Sequence, residues 1–432
     1  MAVSRTWRTA LLGMAASIGL SFAAEAQTTV TMWTFLDPTK NSGREVALRR
    51  MIENFERANP GIRVRVEPQI FSELMTKFLA ANNTGTAPDI IWVNTENMGA
   101  FARSGAAADL EASIVSRWTP AEREDFFVRA GFDAGLVGGR RFTLPLFHAT
   151  TSIFYRKDLF QAAGIDPASI RTWDQLAEAA KKLTAAPDAG GRVNVWGFGT
   201  PLSTERTGGT TAFSAMMFAG EGMWERCRPL YTRPTGLRAL QWHVDMIETH
   251  RAMPRETIAN HVDDVVDQFT AGRYAMAVMP FARFENVRAQ ARWGGDNLAI
   301  LPWPNWTPDK PGPQQVQGWY AGVWSRSRNI DAATRFLAHM VNAESVDLWS
   351  EVGGQVPTRL SVWREPKYRD PKFAFMETVV EAWRAWSFQI PTDCTTTQFD
   401  ADLNRAVQRV LVGRVAPSAA MAEAERTFLG RQ

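Results

Sequence analysis

The sequence predicts an α/β protein built as two lobes, and three observations carry that prediction. The chain has 432 residues, more than a single hydrophobic core usually serves, so division into lobes is the default. Its early part alternates strand-like and helix-like segments, the pattern of a mainly parallel sheet flanked by helices. Its composition, 45% hydrophobic and 22% charged, is that of an ordinary globular protein.

The elements follow in order. Arg5 and Arg8 precede an apolar run over 10–24, and Ala24-Glu25-Ala26 offers a small-x-small cleavage site before Gln27, so residues 1–26 read as a secretory signal peptide. The run is shorter than the roughly 20 apolar residues a membrane crossing requires. No Cys stands near the cleavage site to take a lipid anchor. The formal charge is +3, too mild to draw nucleic acid or an anionic membrane. Cys227 and Cys394 suffice for one disulfide in an oxidising compartment, but spacing alone does not establish that they meet.

Past Gln27, residues 29–33 alternate as a short strand that runs into a loop at Thr34-Phe35-Leu36-Asp37-Pro38. Leu48, Met51, Ile52 and Phe55 recur at helical spacing, Asn59-Pro60-Gly61 stops that helix, and Ile62, Val64 and Val66 alternate as the second strand. Phe71, Leu74, Met75, Phe78 and Leu79 make a second helical face. Ile90-Ile91-Trp92-Val93 is apolar on both sides, as in a sheet covered on both faces.

A strand-like run at Leu144 to Tyr155 marks the first crossing into a second lobe near Phe147. Thr172 with Gln175 is a capping-box pair opening a helix whose buried face is Leu176, Ala179, Ala180 and Leu183. Helices over about 235–250 and 263–271 follow, then buried strands over 275–279 and 298–302. Second and third crossings are expected at Pro280-Phe281 and near 318–323, and the chain ends in helices. The expected division is 27–146 plus 282–317 for the first lobe and 147–281 plus 318–432 for the second.

Several segments together resemble the maltose-binding-protein-like solute-binding proteins of ABC importers. They are Phe55-Glu56-Arg57-Ala58-Asn59-Pro60-Gly61, Ala87-Pro88-Asp89-Ile90-Ile91-Trp92, Tyr155-Arg156-Lys157-Asp158-Leu159 with Thr172-Trp173-Asp174, Phe269-Thr270-Ala271-Gly272-Arg273-Tyr274-Ala275-Met276, and Gly354-Gln355-Val356-Pro357-Thr358. Arg156 stands where that family usually has Asn. The resemblance implies a periplasmic-binding-protein fold of class II type, with each lobe a mainly parallel sheet and a three-crossing hinge between them. It further implies a monomer in the periplasm that closes on a sugar or sugar-like solute and delivers it to a membrane permease, with no cofactor and no nucleic-acid partner. A glycerol-phosphate-type ligand is the nearest alternative within that class, and a secreted glycan-active enzyme is the alternative outside it.

Ligands of such sheets sit outside the carboxyl ends of the strands. Sugar rings present apolar faces that aromatic side chains cover and hydroxyl rims that need polar partners. The chain holds 17 Trp and 25 Phe against 5 Tyr. Strand-end position selects Trp33, Phe35, Asp37, Asn94, Glu96, Phe147, His148, Gln317, Gly318, Trp319 and Tyr320. Each of these aromatics is either a cleft residue or core; Trp92, inside an apolar strand, reads as core. Asn94 and Glu96 either face ligand or cap the next helix. The resemblance adds Glu221 and Trp224, with Glu205, by approximate position. Arg359 either bonds ligand or pairs with an acid. The five histidines (His148, His243, His250, His261, His339) lack His-Glu-x-x-His spacing. No Walker loop or Gly-x-Ser-x-Gly elbow is present. The loop Thr207-Gly208-Gly209-Thr210 is an ordinary turn pattern or a weak phosphate contact.

Overall fold

The computed structural model describes residue 1 and residues 27–205, 212–391 and 398–431. The expected signal segment, the Thr207–Thr210 loop and Cys394 lie outside the described residues. Cys227 is disulfide-bonded.

Two sheets organise the chain. The first contains β1 (Thr28–Thr34), β2 (Ile62–Pro68) and β3 (Ile90–Asn94). Both β2 and β3 run parallel to β1, with Val30 opposite Val64 and Met32 opposite Ile90. The double-sided apolar run of β3 is explained by its central place, since Ile90, Ile91, Trp92 and Val93 are all buried. The chain enters its second half through β4 (Leu144–Ala149) and β5 (Thr151–Arg156), separated by Thr150 alone. The second sheet combines β5 with β6 (Trp196–Gly199), β7 (Tyr274–Pro280) and β8 (Leu298–Leu301) in the order β8-β5-β7-β6. The long β9 (Gln314–Val323) returns to the first sheet, antiparallel to β3 and β4, and its start pairs with β10 (Ser387–Gln389).

The expectation of a mainly parallel sheet holds in the first lobe and fails in the second, where only β6 and β7 are parallel. The reason is directional. Strand β5 leaves the hinge immediately after β4, whereas β7 and β8 run back toward it and end opposite Thr151 and Ile153. An outgoing strand between two incoming ones is necessarily antiparallel to both.

The expected lobe boundaries also need correction. Residues 282–317 do not belong to the first lobe as a block. Phe284, on helix Phe284–Gln290, meets Phe154 of β5 at 5.7 Å, and β8 pairs with β5. Conversely, β9 and helix Ile330–Met340 pack in the first-lobe core with Met32, Trp92 and Phe101. Pro280-Phe281 ends a strand at the crevice without leaving the lobe, which is why it reads as an exit.

The three connections between lobes lie side by side. Thr150 Oγ1 donates to the Gln315 carbonyl at 2.7 Å, Gln314 Nε2 donates to the Thr151 carbonyl at 2.9 Å, and Trp303 Nε1 reaches the same carbonyl at 3.0 Å. His148 forms an isolated β-bridge with Val356, in the segment that follows helix Ala343–Glu351 and makes the third connection. These bonds bind the crossings to one another, a geometry suited to rigid-body motion of one lobe on the other.

Local rules account for the flanking helices. Thr172 accepts from the Gln175 N–H at 3.2 Å while Gln175 accepts from the Thr172 N–H at 2.9 Å, the reciprocal cap of helix Trp173–Leu183. That helix buries Trp173, Leu176 and Ala180 in the second-lobe core. Helices Phe399–Leu411 and Pro417–Leu429 close the chain against the same core. Among the described residues no helix is long and apolar enough to cross a membrane.

Candidate functional site

Strands β1, β2 and β3 all deliver their carboxyl ends to the same edge of the first sheet, because they are parallel. The loops beyond them therefore converge. Phe35, one residue past β1, lies with its ring centroid 4.5 Å from that of Trp319 on β9 and 5.9 Å from Phe71, which follows β2. Phe71 and Trp319 meet edge to face at 5.3 Å. Trp92 backs the cluster, 6.1 Å from Trp319. Phe71 is 56% exposed and Ile70 beside it 59% exposed, whereas Trp319 is only 9% exposed. The cluster is thus a graded platform: Trp92 is core, Trp319 is its floor, Phe35 is half-buried, and Phe71 stands open.

Polar groups rim the platform. The Trp33 indole N–H donates to Glu67 Oε2 at 2.7 Å, which spends the donor inside the lobe and leaves the half-buried ring as the available surface. Glu67 is also paired with Arg65 at 2.8 Å. Asn94 stands at the N-cap position of the turn Thr95–Asn97 but makes no side-chain cap bond; its Oδ1 accepts instead from the Asn97 side-chain amide at 2.6 Å. Glu96 has no such bond among the described residues. Its side chain remains in touch with solvent while neighbouring atoms crowd it, and this desolvation raises its carboxyl above the ordinary range. Its carboxylate oxygens can accept hydrogen bonds from hydroxyl groups. Asp37 instead folds its own turn, accepting from the Thr39 hydroxyl at 2.7 Å and N–H at 3.0 Å, and those bonds lower its pKa.

Arg44, in the first turn of helix Gly43–Ala58, holds its guanidinium 5.5 Å from the Phe35 centroid. Burial lowers its pKa; the neighbouring Glu45 opposes that change, and Arg283 adds to it. Arg283 lies just past the carboxyl end of β7, in the second lobe.

Several expected site residues prove structural. Phe147 is 2% exposed, packed between Trp92 at 6.0 Å and Trp349 at 5.2 Å. Its side chain alternates inward from β4, so the strand end it occupies is not a cleft position. His148 is buried against Trp383 and Tyr320, and desolvation depresses its pKa to about 3. Tyr320 is fully buried, its hydroxyl donating to the Gly131 carbonyl at 3.0 Å. Gly318 has φ +153°, and a Cβ there would lie 2.4 Å from the Phe147 carbonyl oxygen; it serves the close approach of β9 to β4. Gln317 is half-buried between these elements.

The second-lobe and late assignments are corrected as well. Glu221 accepts from the Thr235 N–H at 3.0 Å and so caps helix Pro234–Glu248. Trp224 packs edge to face on Phe399 at 5.2 Å and beside Phe428 at 6.0 Å, within an aromatic cluster of the second-lobe core. Arg359 is buried, bound to the Val341 carbonyl at 2.8 Å and to Asp125 at 3.2 Å, with Phe126 under its guanidinium at 4.2 Å. It joins the segments on either side of the third crossing.

Sequence reasoning missed Phe71, Arg44 and Arg283. The strand-end rule that selected Trp33 and Asn94 applies equally to the residues after β2, but Phe71 also fits the helical spacing of Leu74, Met75 and Phe78. In the structure it sits on a single 3₁₀ turn, Phe71–Glu73, ahead of helix Leu74–Thr84, and so points away from the helix's buried face.

This architecture, two sheets joined by three adjacent crossings with aromatic and polar groups at facing strand ends, defines a bilobal binding protein. Residues 41–347 match the model of the bacterial extracellular solute-binding protein family, and the chain belongs to that family. The arabinooligosaccharide-binding protein of Bacillus subtilis (strain 168) is 23% identical over 363 residues, covering 81% of this chain and 78% of that protein. The sn-glycerol-3-phosphate-binding periplasmic protein UgpB of Salmonella typhi is 22% identical over 369 residues, covering 83% of this chain and 81% of that protein. Among solved structures, the sugar-binding protein MalE from the phytopathogen Xanthomonas citri superposes with a TM-score of 0.77 at 19% identity, over 93% of this chain and 96% of that one. That likeness establishes the fold.

Proposed function

We propose that the protein captures a sugar or sugar-like solute between its lobes in the periplasm and hands it to the transmembrane subunits of an ABC permease. The observation that carries this reading is the platform of Phe35, Phe71 and Trp319 at the carboxyl ends of the first-lobe strands, with Glu96, which makes no hydrogen bond among the described residues, just past the end of β3. Covering one sugar ring face is worth on the order of 1–2 kcal/mol at about 25 cal/mol per Å². A few such contacts with hydrogen bonds reach micromolar affinity, roughly −8 kcal/mol. Second-lobe contacts made only on closure shift the equilibrium toward the closed form, which the permease reads. The names of the arabinooligosaccharide-binding and MalE relatives support a carbohydrate ligand.

The protein acts as a binder without turnover. An acid–base pair of Glu96 with Glu221 is disfavoured because the Glu221 carboxylate is engaged as a helix cap. Thermal-shift screening of the purified protein against sugars, oligosaccharides, polyols and glycerol phosphates tests the reading. A true ligand at about 100 times its Kd raises stability by roughly 2.7 kcal/mol and is recovered unchanged after incubation. Product formation, or no stabilisation by any member of the panel, would reject it.

A further inference from the structure

We infer that the solute carries an anionic group, a carboxylate or a phosphate, and that Arg44 binds it; this rests on the receptor reading above. Arg44 is half-buried, and its guanidinium lies 5.5 Å from the ring centre of Phe35, itself 4.5 Å from Trp319. The cation is therefore fixed at the edge of the aromatic platform. No carboxylate holds it: among the described residues Arg44 makes no ion pair, and the adjacent Glu45 turns its carboxylate to the Ser42 N–H at 3.1 Å. Arg65 on β2, by contrast, is paired with Glu67 at 2.8 Å. Arg44 is also in the first turn of a helix, where backbone N–H groups already favour negative charge.

The charge reaching it from the opposite lobe has the same sign. Arg283 is held by Asp263 at 2.8 Å, yet its field still acts on Arg44. A guanidinium partly withdrawn from water with no counter-ion is costly. Its planar fork of donors matches the oxygens of a carboxylate or phosphate. A neutral sugar would leave that repulsion between the two cations in place. An anion between them removes it, so charge on the ligand stabilises the closed form beyond what ring contacts supply.

The test uses matched pairs: galacturonate oligosaccharides against their carboxyl-reduced counterparts, and sn-glycerol 3-phosphate against glycerol, by titration calorimetry on the intact mature protein. The anionic member of at least one pair is expected to bind about tenfold or more tighter, with affinity falling as salt rises. The pair that responds tells carboxylate from phosphate. Arg44→Gln should erase the preference, bringing the anionic member down to the affinity of its neutral counterpart, and the exposed Arg335→Gln should leave the preference unchanged. Arg44→Lys, which keeps the charge, separates lost recognition from any folding defect of the Gln variant and should retain part of the preference. Equal binding within both pairs, or equal loss from Arg335→Gln, overturns the inference and leaves the receptor reading standing. Absence of binding by all four probes and by the wider panel removes both.

Discussion

Replacing Phe71 and Trp319 separately by alanine distinguishes the open edge of the aromatic platform from its floor. Phe71 is 56% exposed and touches only ring edges, at 5.9 Å from Phe35 and 5.3 Å from Trp319. Edge-to-face pairs contribute about 0.5–1.5 kcal/mol each when buried, and exposure discounts them, so Phe71→Ala should cost about 1 kcal/mol of folding stability. Trp319 is 9% exposed and packs on Phe35 and Trp92. Removing a buried Trp costs roughly 3–5 kcal/mol. At about 2–4 °C per kcal/mol for a unit of lobe size, the apo Tm should fall by roughly 3 °C for Phe71→Ala and by about 10 °C for Trp319→Ala. Ligand binding should rank differently. Phe71→Ala exposes one ring face, on the order of 1–2 kcal/mol, and should raise the Kd of a panel ligand roughly 5–30-fold with the fold nearly intact. Differential scanning calorimetry of the apo variants and calorimetric titration of the same samples give both quantities. Equal destabilisation by the two substitutions, or an unchanged Kd for Phe71→Ala, would refute the platform argument.

Three further outcomes follow from the residues reassigned to the core and hinge. Arg359→Ala removes a buried side chain and leaves the Val341 carbonyl without that donor, while the half-buried Asp125 keeps its bonds from Ser361; it should cost about 1–3 kcal/mol in denaturant unfolding while leaving ligand Kd unchanged, and a weakened Kd at native stability would return Arg359 to the site. His148 is neutral in the folded state, with a pKa near 3 against 6.5 when unfolded, so the unfolded chain binds the extra proton between those values. Stability from this residue is present above pH 6.5 and is lost as pH falls toward 3, at up to about 1.4 kcal/mol per pH unit. His148→Phe should flatten the acid limb of the stability–pH curve, and identical slopes for both proteins would count against a buried neutral His148. Gly318→Ala places a Cβ 2.4 Å from the Phe147 carbonyl oxygen at φ +153° and should cost at least about 2 kcal/mol; a Tm within 2 °C of wild type, by the same scale, would show that the hinge tolerates the contact.

The chain itself determined the elements. Thr172 and Gln175 announce their helix because a cap needs only neighbours in sequence, and the apolar run Ile90–Val93 announces a central strand because both its faces must be covered. The lobed α/β plan and the family were legible for the same reason, being patterns of local spacing. Tertiary structure decided what each strand end faces. Trp319, Phe147, His148 and Tyr320 all stand near the same crossing, yet alternation along β4 and β9 turns most of them inward and leaves Trp319 as a floor. The path after Pro280 was equally hidden, since a strand that ends at a crevice looks the same whether the chain crosses the hinge or turns back. Arg44 and Arg283 lie 239 positions apart in the sequence, and only the folded chain lets the charge of one act on the other. Local pattern fixes conformation through short-range sterics and hydrogen bonds; partners come from long-range packing, and a binding site is made of partners.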